Sequence, residues 1–104
     1  MAKVVKKLSP PHPGETLLED FMKPLSLSAH KLAMELHVPA TRINDIIHGR
    51  RGITADTAMR LARYFGTSPQ FWMNLQALYD LRITEIEKAA EIVRDVHPRE
   101  PALC

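Results

Sequence analysis

Cysteine is nearly missing: the one thiol, Cys104, is the last of 104 residues. That excludes a disulfide framework, and a reducing cytoplasm is the expected setting. No apolar run approaches the roughly 18 residues a membrane span needs, so no bilayer crossing is expected. The start, Met1-Ala2-Lys3-Val4-Val5-Lys6-Lys7, is basic but lacks a following apolar stretch and cleavage site, which argues against a secretion signal. There is no nucleophile–base arrangement. Gly49 and Gly52 flank a basic loop without a phosphate-loop pattern, so no enzyme is expected. Among five histidines no pair has helical ligand spacing with a third ligand nearby, so neither a metal nor another cofactor is expected. His30 and His37 read as surface or turn residues. Strand-period segments, internal repeats and low-complexity tracts are missing as well.

What remains is the profile of one small globular domain, 45% apolar and 25% charged. The net charge of +2 is unevenly spread. Residues 30–63 hold Lys31, Arg42, Arg50, Arg51, Arg60 and Arg63 against Glu35, Asp45 and Asp56. Residues 80–95 hold three basic residues against five acidic ones. A basic middle suits a polyanionic partner.

The punctuation predicts an all-α chain. Residues 1–12 lack helical period and read as an extended arm. Pro13 suits a first helical turn, where its missing N–H would have had no partner. Leu17, Leu18 and Phe21 form one stripe, and Pro24 is expected to stop that helix. Ser28 caps a second helix carrying Leu32, Ala33 and Leu36, broken at Val38-Pro39. A third begins at Pro39 or Ala40, turns Ile43, Ile46 and Ile47 inward, and ends at Gly49. Thr54 caps a fourth, with Ala58, Leu61, Ala62 and Phe65 inside and Gly66 at its end. Ser68-Pro69 opens a fifth with Phe71, Trp72, Leu75 and Leu78. That helix either kinks near 80–82 or continues through Ile83, Ile86, Ala90 and Val93 to about Val96. The expected domain spans 13–96, with a tail over 97–104.

Residues 29–48 have the layout of a helix-turn-helix. Two short helices crossing steeply need a small residue at closest approach, here Ala33, and apolar anchors, here Leu32, Leu36, Ile43 and Ile46, with Val38 in the turn. Ala40, Thr41, Arg42, Asn44 and Asp45 then point outward near the start of the second motif helix, the part that enters a major groove. Arg42 can donate twice to guanine, Asn44 can pair with adenine, and Thr41 can touch a thymine methyl or a phosphate. Asp45 either accepts from cytosine or orients Arg42. Ser28, His48, Arg50 and Arg51 are candidates for phosphate contact.

The segments His12-Pro13-Gly14-Glu15, Val38-Pro39, Arg42-Ile43-Asn44, His48 to Ala58, Arg60 to Pro69 and Phe71-Trp72-Met73-Asn74-Leu75-Gln76 resemble the HigA antitoxins, part of the Xre/Cro-type helix-turn-helix group. The likeness runs over roughly residues 12–81. It implies a five-helix, lambda-repressor-like domain that binds its operator as a homodimer. It also implies a partner, a RelE-like toxin of the HigB type that cleaves mRNA on the ribosome; the antitoxin neutralises it and represses the shared operon. Three positions depart from the pattern: Ala29 where glutamine is frequent, and Ser26 and His37 where glycine is. The latter two call for residues that tolerate a left-handed backbone. Toxin contacts are placed on the N-terminal arm, with Lys3, Lys6 and Lys7, or on the last helix. An orphan or phage-type regulator with no toxin is the alternative.

For the dimer interface, Phe71 and Trp72 are adjacent and cannot share one face, which makes Trp72 a candidate. The stripe through Ile83 and Ile86 is the other candidate, since alone it would be exposed.

Overall fold

The computed structural model describes residues 10–100, and all its regular structure is helical. The expected toxin contacts at Lys3, Lys6 and Lys7 lie outside the described residues, as do residues 101–104.

Helix α1 (Pro13–Thr16) starts at His12, whose Nδ1 accepts from the Gly14 N–H at 2.9 Å. Residue 12, expected at the end of the arm, is thus the helix cap. The first helix then departs from its expected form. It widens into a π-helical stretch over Leu17–Met22 and tightens into a 3-10 turn over Lys23–Leu25. Pro24 therefore sits inside the closing turn rather than ending the helix before it. Proline has no N–H to give and its ring crowds the carbonyl four residues back, so the change of helical register falls at this point. The run ends at Ser26, left-handed at φ 54°.

Helix α2 (Ala29–Leu36) is capped by the Ser28 hydroxyl, which accepts from the Lys31 N–H at 3.0 Å. It closes at His37, also left-handed at φ 58°, where the His37 and Val38 N–H groups return to the Met34 and Ala33 carbonyls. Both positions where the sequence lacks the frequent glycine thus adopt the left-handed backbone expected of them. Pro39 turns the chain into α3 (Ala40–Ile47). Thr54 caps α4 (Ala55–Phe65), which Gly66 ends at φ 75°. Ser68 caps α5 (Pro69–Asp95), and this last helix runs without the interruption that 80–82 allowed.

The core forms where α1, α2, α3 and α4 converge on the first turns of α5. Leu17, Met22, Leu32, Ala33, Leu36, Ile43, Ile46, Ile53, Ala58, Leu61, Ala62 and Trp72 are buried together. Phe21, Phe65 and Phe71 pack their rings around the Trp72 indole. The Trp72 side chain is fully buried, and its Nε1–H donates to Thr67 Oγ1 at 2.7 Å. This corrects its candidacy for a dimer interface, because Trp72 offers no surface to a partner. The helix turns the larger ring inward, where its area and its N–H are both satisfied, and leaves Phe71 at the edge.

Candidate DNA-binding surface

Helix α3 presents its first turns to solvent because Ile43 and Ile46 hold the opposite side in the core. Thr41 is exposed, while Ala40, Arg42, Asn44 and Asp45 are half-buried. Asn44 Nδ2 donates back to the Ala40 carbonyl at 3.2 Å, so its amide lies along the helix rather than reaching out. His48 follows suit, with Nδ1 2.7 Å from the Asn44 carbonyl.

The basic loop is fastened at both ends. At its start the Asp45 carbonyl accepts the Arg50 and Arg51 N–H groups at 2.8 and 3.2 Å. The Asp45 carboxylate meanwhile takes the Arg50 guanidinium at 3.0 Å. Of the two offered roles, orienting Arg42 is therefore not what Asp45 does here. Its side chain faces the loop, where Arg50 folds back to it. At the far end Gln76 of α5 accepts the Ile53 N–H at 2.7 Å and donates to Asp80 at 3.0 Å. The arrangement leaves the Arg50, Arg51 and His48 side chains exposed together beside α3. Ser28 is also exposed, with its hydroxyl engaged as the cap of α2.

Arg42 is held from another helix. Its Nη1 donates to Asp56 Oδ2 at 2.8 Å and lies 3.5 Å from Thr57 Oγ1. The same carboxylate oxygen accepts from Arg60 Nε at 2.9 Å, and Arg60 Nη1 donates to the Leu36 carbonyl at 2.9 Å. One acidic residue at the start of α4 thus connects α3 to the C-terminal end of α2. Hydrogen bonds from Arg60 first, and then Arg42, hold the Asp56 carboxyl below its usual range. Composition and periodicity assign no role to Asp56, Arg60 or Gln76. The i,i+4 spacing of Asp56 and Arg60 marks a surface pair on a helix, but nothing in the local pattern marks the bond from Arg42 fourteen residues away.

A second exposed surface lies on the far half of α5. Ile83 is half-buried, whereas Ile86, Ile92 and Val93 are 46%, 45% and 74% exposed. Leu78 and Leu81 on the same helix, and Val96 just past its end, are exposed as well. Among the described residues no group of three or more histidine, cysteine or acidic side chains could hold a metal ion. No helix among them is long and apolar enough to cross a membrane.

Comparison with known proteins agrees with this geometry. The helix-turn-helix family profile matches residues 18–72, just over half of the chain and all of α2, α3 and α4. Virulence-associated protein I of Dichelobacter nodosus is 57% identical over 77 residues, which cover 74% of this chain and 71% of that protein. Antitoxin HigA-1 of Vibrio cholerae is 33% identical over 75 residues, covering 72% of this chain and 70% of that one. The solved structure of Pseudomonas aeruginosa antitoxin HigA with higBA promoter superimposes with a TM-score of 0.83 at 45% identity, covering 86% of this chain and 97% of that one. A likeness of sequence and fold, centred on a helix pair whose second member faces outward beside a basic loop, places the chain among DNA-binding regulators rather than enzymes: it belongs to the helix-turn-helix family, as one of its HigA-type antitoxins.

Proposed function

We propose that this chain binds the operator in its own promoter as a homodimer, places α3 in the major groove and represses transcription. The observation that carries the reading is the exposed start of α3 flanked by Arg50, Arg51 and His48. Thr41, Arg42 and Asn44 supply the base-reading chemistry, with Ala40 and Asp45 beside them on the same turns. Ser28, His48, Arg50 and Arg51 supply phosphate contacts that set register. Asn44 must turn from the Ala40 carbonyl to reach an adenine, a change of rotamer that a bound base repays with two hydrogen bonds. Two copies would present their α3 helices about one helical turn of DNA apart, near ~34 Å. The exposed stripe on α5 that includes Ile83 and Ile86 is the surface proposed to join them.

The antitoxin family adds a second role in the same molecule, neutralising a RelE/HigB-type mRNA endonuclease. The identity of that partner is a proposal. It is supported by the relationship to HigA antitoxins and by the amount of apolar surface left open on α5. The cytoplasm, where both partners would be found, is the proposed location.

The test is a binding titration of the purified chain against its promoter duplex and a scrambled duplex at two salt concentrations. Tighter binding to the promoter, weakened by salt, is expected. Arg42→Ala should cost about 1–3 kcal/mol against the promoter, the value of a bidentate base contact, and much less against the scrambled duplex. Equal weak binding of the unaltered chain to both duplexes would overturn the repressor reading.

A further inference from the structure

Arg42 stands in the first turn of α3 and Asp56 in the first turn of α4, on opposite sides of the basic loop. Both polar contacts of the Arg42 guanidinium among the described residues run through Nη1. The Nε and Nη2 donors are left over, and guanine accepts two donors from one edge of an arginine at O6 and N7. The Arg42 side chain is 27% exposed and that of Asp56 is 55% exposed, so the pair sits at the rim of the proposed DNA surface rather than beneath it. Asp56 is itself anchored through Arg60 to the Leu36 carbonyl at the end of α2. The guanidinium is thus fixed against the scaffold before any DNA arrives. A carboxylate in this place also opposes the other use of Arg42: a free arginine at the tip of α3 would neutralise any phosphate, whereas one shared with Asp56 has less charge to offer.

On the reading that α3 enters the major groove, we propose that Asp56 is a positioning residue for sequence discrimination. It aims the Arg42 guanidinium at a base edge and withholds it from the sugar-phosphate backbone. The preference of the protein for its operator over unrelated DNA then depends on a residue that touches neither. Asp56 lowers affinity for all DNA through its charge and raises the ratio between right and wrong sites through Arg42. Specificity set by an unfavourable contact with the wrong partner is a general device in recognition.

The experiment compares the unaltered full chain, Asp56→Asn, Arg42→Ala and the double variant. Each is titrated with the promoter duplex and a scrambled duplex at two salt concentrations, and thermal unfolding is followed alongside. Asp56→Asn should bind the scrambled duplex about tenfold more tightly, with a salt dependence steeper by about one phosphate contact. Promoter affinity should change less, so the ratio of the two falls. In the Arg42→Ala background the Asp56→Asn change should leave the ratio where it was, because the residue acts through Arg42. A merely structural role would shift the melting temperature and both affinities together. An unchanged ratio in Asp56→Asn, or the same fall with Arg42 already removed, would overturn the proposal. Should Asp56→Asn fail to fold, the comparison passes to Asp56→Ala. That variant removes both the charge and the acceptor for Arg42, and an unaltered ratio in it would be equally fatal. An unaltered chain that does not distinguish the promoter removes the operator reading itself; one that does, while Asp56→Asn does so equally, removes only the inference about Asp56.

Discussion

His12 shows how one side chain couples the chemistry of a helix end to pH. Its Nδ1 can accept the Gly14 N–H only while the ring is neutral. The ring also packs edge-on against Tyr79 of α5, with centroids 4.9 Å apart. Burial lowers its pKa from 6.5, against the opposing attraction of Asp80 and Glu15. A folded-state value below the unfolded one means that the unfolded chain binds the proton more readily. Stability is therefore fully present above about pH 6.5 and is lost as pH falls through the folded value. The denaturation midpoint should drop between about pH 8 and about pH 5. His12→Asn, which keeps a capping acceptor that does not titrate, should flatten that dependence. An identical pH slope in the two proteins would mean that the cap is not the titrating element.

Packing between elements explains a glycine that local sequence leaves ambiguous. Gly14 lies in the first turn of α1, and a Cβ at that position would collide with the carbonyl oxygen and carbon of Ile46, near the end of α3. The obstacle is backbone, so it cannot swing aside as a side chain would. Gly14→Ala should destabilise the fold by roughly 1–3 kcal/mol, toward the upper end because a helix must move. A lower urea midpoint at unchanged slope is the measurement, and a midpoint equal to the parent's would show that α1 and α3 can separate freely. The same contact supports α3, the helix proposed to face DNA, so on that reading Gly14 is bound up with function through the placement of an element rather than through any chemistry of its own.

At the scale of the whole molecule the shape is set by α5. The radius of gyration is 17.3 Å, against about 13 Å for a compact domain of 100 residues. The cause is the far half of the 27-residue helix, which projects beyond the core. Ile83, Ile86 and Val93 continue the buried face of its first turns into solvent. A small domain gains nothing by itself from exposing them. On the reading that this stripe joins two copies, Ile86→Glu should shift the protein from dimer to monomer in sedimentation equilibrium without unfolding it. It should also weaken promoter binding at least about tenfold, as two linked half-site contacts become independent. An intact dimer in this variant would place the interface elsewhere on the molecule.

Sequence alone determined whatever depends on near neighbours. Ser28, Thr54 and Ser68 cap their helices because a hydroxyl meets an N–H three residues on, and Gly66 ends α4 because a left-handed residue must stand there. The inward and outward faces of α2, α3 and α4 follow from 3.6-residue periodicity, and so does the placing of Thr41, Arg42 and Asn44 at the start of the outward helix. Tertiary structure decided what depends on partners distant in sequence. It put Trp72 rather than Phe71 in the core, reshaped the first helix around Pro24, and brought Gln76 under the basic loop. It also handed Arg42 to Asp56 instead of Asp45. Each of these is a competition among several groups that local spacing permits, and the winner is the one that the packed helices bring within hydrogen-bond or van der Waals distance.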